Sequence, residues 1–311
     1  MGTHNQRVEY GKKLVELGGK NPDIVVLEAD LGKSTMSCLF EEAFPDRYFE
    51  MGIAEQNMTS FAGGLALAGK IPFTNTFAVF ASGRAYDQIR QSIATAKLNV
   101  KVVGSSSGMS DFGDGATHQS IDDVAIMSAI PNMTVFTPCD GVETGLAVEA
   151  AVALDGPCYI RLCRNDLEDI YPAQAGYRIG EPVVLREGED VAVYTHGIMA
   201  HGALEAARTA QKEGISVAVI HIPTVKPLNE DAVKNLAEGK KGVVVCEEAN
   251  IRGGLNMLVS YILRGTGIPV ESMAVMDVFG QSGSSHQELL AYYELDAENI
   301  LKKIRRAAGK S

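Results

Sequence analysis

In the run Arg47-Tyr-Phe-Glu-Met-Gly-Ile-Ala-Glu55-Gln-Asn-Met58 a glutamate opens a helix of small residues, Glu55 to Gly69, directly after a short strand. A carboxylate in the first turn lies near the positive end of the helix dipole and tends to stay ionised. Buried against a neutral heterocycle, the same group accepts or shares a proton. A lone glutamate at a helix start is ordinary in itself. The words that follow it narrow the choice: Asn75-Thr-Phe77-Ala-Val-Phe80 sets two aromatics just past a strand end, and Gly113-Asp114-Gly-Ala-Thr-His118 puts an acid and an imidazole in one loop.

These residues need a frame. Continuous apolar runs at Asp23–Glu28, Val100–Val103, Thr134–Phe136 and Tyr159–Leu162 read as strands buried on both faces of a parallel sheet. Helix-length segments separate them, at 54–69, about 84–97, about 120–130 and about 140–154, the last opened by Asp140 in the N-cap place with Glu143 three residues on. Such alternation predicts a doubly wound α/β domain with its binding loops at the carboxyl ends of the strands. The pattern loosens from Asn165 to about Asp190. A second alternating series then runs from Val191 through helices at 199–214, about 229–238 and about 253–263 to Val270–Met276.

The chain has 311 residues, enough for two domains with cores of their own. Its net charge of -11 argues against a nucleic-acid-binding surface, and no apolar run is long enough to span a bilayer. The N-terminus lacks the apolar stretch of a signal peptide. Five cysteines, an odd number without Cys-x-x-Cys spacing, fit reduced thiols in a cytoplasmic protein.

Taken together, Gly52-Ile-Ala-Glu-Gln-Asn57, Thr76-Phe-Ala-Val-Phe80, Asp114-Gly-Ala-Thr-His118-Gln, Pro131-Asn-Met133 and Arg164-Asn165 resemble the transketolase family. The resemblance covers essentially the whole chain, yet only the second half of a full-length transketolase. It implies a pyrimidine-binding domain over residues 1–170, a linker over 171–190 and a smaller C-terminal α/β domain over 191–311. It also implies thiamine diphosphate as cofactor, with Mg²⁺ (or Ca²⁺) held through a partner N-terminal subunit that carries the diphosphate site. Because the family builds each active site between two polypeptides, an α2β2 heterotetramer is expected. The implied reaction is transfer of a two-carbon ketol unit from a ketose to an aldose.

Carried over by position, Glu55 is the carboxylate that bonds the aminopyrimidine and favours its imino form. Phe77 and Phe80 wrap that ring, Phe80 stacking on it, while a third aromatic of the family pattern is Gly83 here. Asp30 lies near the cofactor. Asp114 bonds a sugar hydroxyl, and His118 contacts the reacting end, which makes Glu55 and His118 the expected catalytic residues. Arg7, Ser34 and Arg164 fall at the phosphate-binding positions, where the planar fork of arginine binds two oxygens. One departure is Ser106, which stands where the family has a histidine that helps hold phosphate. It opens the substrate choice to another anionic group. Gly113-Asp-Gly begins like the family's metal motif, but Asn132 falls too near to complete it, so no metal ligand is expected in this chain.

Other readings share the layout. The β subunit of a 2-oxo-acid dehydrogenase has a similar glutamate-bearing helix. The C-terminal half of a 1-deoxyxylulose-5-phosphate synthase is matched by Arg84-Ala-Tyr-Asp-Gln88. A non-catalytic regulatory homologue would have lost Glu55 or Phe80, and both are present. His196, His201, His221 and His286 show no metal-ligand pattern and read as structural; Glu247-Glu248 is left open.

Overall fold

The apolar runs become strands sealed on both faces: every residue of Ile24–Glu28, Lys101–Ser105, Val191–Thr195 and Val217–His221 is buried. The computed structural model describes residues 2–310. Its strands, in chain order, are β1 (Thr3–Asn5), β2 (Ile24–Glu28), β3 (Tyr48–Glu50), β4 (Ile71–Phe77), β5 (Lys101–Ser105), β6 (Thr134–Phe136), β7 (Cys158–Arg161), β8 (Asp166–Glu168), β9 (Val183–Arg186), β10 (Val191–Thr195), β11 (Val217–His221), β12 (Thr224–Lys226), β13 (Gly242–Asn250) and β14 (Val270–Val275).

Two α/β sheets result. The first has seven strands in the order β12-β6-β7-β5-β4-β2-β3, parallel throughout except for β12 against β6. The second has the order β14-β13-β10-β11-β9, with β9 as an antiparallel edge. The stretch that reads as a crossover is therefore ordered in part: β8 pairs with β1, and β9 closes the second sheet. Strand β12, which follows the second series' own β11, reaches back to extend the first sheet.

Helices cover both faces of the first sheet. Gln6–Lys20, capped by the Asn5 side chain, packs with Gly141–Ala153 on one face around Tyr10, Leu14, Phe73 and Phe136. The Asp140 side chain accepts from the amide of Glu143, the N-cap that the sequence indicates. On the other face lie Glu55–Leu67 and Asp123–Ala129. There the apolar core runs on without a break into Tyr194, Ile220, Val245 and Leu255 of the second sheet. The expected helix at 84–97 starts earlier, with widened turns over Phe80–Arg84 and Ile89–Ala94. Such turns insert one extra residue per turn and re-aim the side chains around them.

Topology decides where chemistry gathers. From β2 the chain steps outward to β3, then returns to place β4 on the other side of β2. A crevice forms outside the carboxyl ends of strands at such a reversal. The segments leaving β2, β3, β4, β5 and β7 all exit at that end, because those strands are parallel.

Candidate active site

Each segment leaving that end carries a candidate residue. Asp30 and Ser34 follow β2, Glu55 follows β3, Phe77 and Phe80 end β4, Ser106, Asp114 and His118 follow β5, and Arg164 follows β7. Arg7 joins them from the first turn of Gln6–Lys20.

Glu55 is only 1% exposed, and among the described residues its carboxylate is met by one cation. Arg84 Nη1 donates to both Glu55 oxygens at 2.9 Å. The same guanidinium lies 4.4 Å from the centroid of the Phe80 ring. Phe80 and Phe77 lie nearly parallel, 17° apart, with centroids at 6.2 Å, and His118 stands edge-on to Phe80 at 5.3 Å and to Phe77 at 6.2 Å. The result is a buried acid beside a three-ring aromatic wall. Gly104 in β5 makes this possible, since a Cβ there would meet the Ala78 backbone at 2.9 Å and the Tyr159 hydroxyl at 2.4 Å. No larger residue lets the segment between Phe77 and Phe80 lie so close to β5.

A second group forms around Arg7. Its guanidinium donates to the backbone oxygens of Ser34 at 2.8 Å and Arg164 at 3.0 Å. Arg164 in turn donates to Asp111 at 2.7 Å. Burial, followed by the nearness of Arg164, lowers the Arg7 pKa from its ordinary value. Together Arg7 and Arg164 line a shallow depression that Gln287 of the second half completes. Asp114 is exposed just before the short turn Gly115–Thr117. Asp30, also exposed, has a left-handed backbone with φ of 61°, its amide bonded to Glu50. Ser106 is not drawn into either group. It is fully buried, its hydroxyl unpartnered.

Two residues of the site escape a reading by sequence. Arg84 is one; nothing in its spacing announces that it turns back onto Glu55. Glu28 is the other, visible only as an acid ending an apolar strand. It is buried, accepting from Thr35 Oγ1 and Ser37 Oγ at 2.6 Å and from the Ala29 amide at 2.9 Å. It thus ties together both ends of the loop that carries Asp30 and Ser34. Burial pushes its pKa up to about 7 against those three donors, with Glu50 adding to the rise.

The histidines of the second half sit on partners. His221 bonds the buried Glu143, His286 bonds Glu248 and Asn165, His196 faces Glu247, and His201 meets the Cys139 carbonyl. Glu248 also accepts from the Met109 amide, so this network ties the loop after β5 to the second half. Cys139, Glu143 and His221 form the one group among the described residues close enough to share a metal ion, and all three are buried.

A parallel sheet with a buried acid and an aromatic wall at its reversal point defines a doubly wound α/β protein with a crevice at the carboxyl ends of its strands. Residues 5–169 match the pyrimidine-binding domain of transketolases, and residues 180–300 match the transketolase C-terminal domain. The chain belongs to the transketolase family. It is 41% identical over 308 residues to a chain of Methanocaldococcus jannaschii named as the C-terminal section of a transketolase, covering 98% of this chain and 96% of that one. It is 40% identical over 300 residues to a 6-deoxy-6-sulfo-D-fructose transketolase subunit from Clostridium sp., covering 96% and 93%. A split-gene transketolase solved as an inactive β4 tetramer superposes with a TM-score of 0.89 at 41% identity, covering 99% of each chain. Full-length mammalian transketolases are matched over 49% of their length. Among the described residues, no helix is long and apolar enough to cross a membrane.

Proposed function

We propose that this chain is one half of a two-subunit, thiamine diphosphate-dependent transketolase that moves a two-carbon ketol unit from an anionic ketose to an aldose. The observation that carries this reading is Glu55, withdrawn from water beside the Phe77–Phe80–His118 wall. A carboxylate and a flat apolar face are what an aminopyrimidine requires, so the residues present fit that part of the cofactor. When bound, thiamine diphosphate supplies the carbanion-stabilising carbon. Glu55 would hold a proton against a ring nitrogen, Phe77 and Phe80 would keep water off the ring, and Asp30 would border it. His118 and Asp114 would face the sugar, and Arg7, Ser34 and Arg164 its anionic end. The diphosphate and its Mg²⁺ or Ca²⁺ fall to a partner N-terminal subunit in an α2β2 assembly. That division is supported by the half-length match to full-length transketolases and by the relative named as a C-terminal section. The free cysteines fit a cytoplasmic setting.

For the substrate, Ser106 brings no charge where the family has an imidazole, leaving Arg7 and Arg164 as the cations. Two guanidinium forks without a third cation suit a singly charged anion better than a phosphate dianion. The Clostridium relative, named for a sulfo-sugar, points the same way. The test is ketol transfer by the reconstituted pair over phosphorylated, sulfonated and uncharged ketoses. A preference for an anionic ketose in kcat/KM is expected; equal use of uncharged ketoses overturns the anionic assignment, and no transfer from any ketose overturns the transketolase reading.

A further inference from the structure

We propose that Arg84 is a gate on the cofactor slot, taking the place of the aminopyrimidine until the cofactor displaces it. This rests on the reading of Glu55 and Phe80 given above. The argument is that one side chain now makes both contacts assigned to the heterocycle. A flat nitrogen ring in this slot needs an aromatic face to lie on and a carboxyl group to bond its ring nitrogen. The Arg84 guanidinium is itself flat, lies 4.4 Å from the centroid of the Phe80 ring and gives Nη1 to both oxygens of Glu55. The widened turn Phe80–Arg84 sets residues 80 and 84 on one face, four apart, so the arginine can fold back over the ring that begins its own turn. The planar guanidinium suits this; an ammonium cannot stack.

The gate is also free to open. The Arg84 side chain is 45% exposed while Glu55 is 1% exposed, so the cation stands at the mouth and the acid at the floor. Displacement returns the guanidinium to water and exchanges its hydrogen bonds to Glu55 for one between Glu55 and a nitrogen of the incoming ring. Arg84 meanwhile keeps the Glu55 carboxylate, which no other side chain meets by hydrogen bond among the described residues, from being buried alone.

The competition has a measurable size. An ion pair whose cation is half exposed and a half-exposed cation–π contact each contribute modestly, together about tenfold in an equilibrium constant. The test is calorimetric titration of thiamine diphosphate with Mg²⁺ into the assembled two-subunit protein, parent against Arg84→Met and Arg84→Lys. It is paired with crystal structures of the parent assembly with and without cofactor. The gate predicts about tenfold tighter binding by Arg84→Met, an intermediate value for Arg84→Lys, and a guanidinium that leaves Phe80 when cofactor enters. Unchanged or weaker binding by Arg84→Met, or a guanidinium that keeps both contacts in the loaded structure, overturns it while leaving the cofactor reading intact. Absence of binding by parent and variants alike overturns that reading and the gate with it.

Discussion

Replacing Glu28 by glutamine should make the protein's stability less dependent on pH, and the size of the effect follows from the site. Glu28 is buried with a pKa pushed up from 4.5 to about 7, burial outweighing the donors Ser37, Thr35 and Ala29. Each tenfold change in proton affinity is ~1.4 kcal/mol, so the rise corresponds to about 3 kcal/mol. Between those two values the folded chain holds a proton that the unfolded chain has released, so stability falls as pH rises. This contribution is fully present below 4.5 and is lost as pH passes through about 7. Glutamine keeps one carbonyl acceptor for the loop donors and carries no charge at any pH. Urea denaturation of parent and Glu28→Gln from pH 4 to 8 should therefore show the variant gaining about 3 kcal/mol on the parent across this range. Parallel profiles would refute the reasoning and show that Glu28 ionises without penalty. Because Glu28 ties both ends of the loop bearing Asp30 and Ser34, faster amide exchange in residues 29–37 of the parent should accompany the change above pH 7.

Two further predictions concern single groups. Glu55→Gln should fold as the parent does, by circular dichroism, yet lower ketol transfer in the reconstituted pair by ~10²-fold or more; activity within a few-fold of the parent means that Glu55 is not the activating carboxylate. Asp123 accepts from Arg161 Nε at 2.9 Å and Tyr159 OH at 2.8 Å in a fully buried cluster, so Asp123→Asn should cost ~3–5 kcal/mol in urea unfolding, and an unchanged midpoint shows that the cluster is dispensable.

Much of this architecture was legible because it is local. Apolar runs bounded by turn residues gave β2, β5, β6 and β7 to within a residue or two, and Asp140 announced its own helix. The helix that opens at Glu55 could be read because it closely follows a short strand. The rest depends on partners distant in sequence. Nothing in Thr224–Lys226 says that it will pair with Thr134–Phe136 rather than with its own sheet, since an edge strand of three residues carries no register signal. Arg84 reads as a surface arginine until a widened turn aims it at Glu55, and Glu28 as a strand-end acid until Thr35 and Ser37 fold over it. Ser106 shows the limit of arguing by position: the expected anion contact is a buried hydroxyl in the folded chain.

The most direct test of the account is ketol transfer, with thiamine diphosphate and Mg²⁺, by this chain alone and by an equimolar mixture with its N-terminal partner. If the chain holds the pyrimidine side of an active site whose diphosphate side lies on another polypeptide, the single chain turns over nothing and the mixture is active. Activity in the single chain, at a level comparable to the mixture, would contradict it.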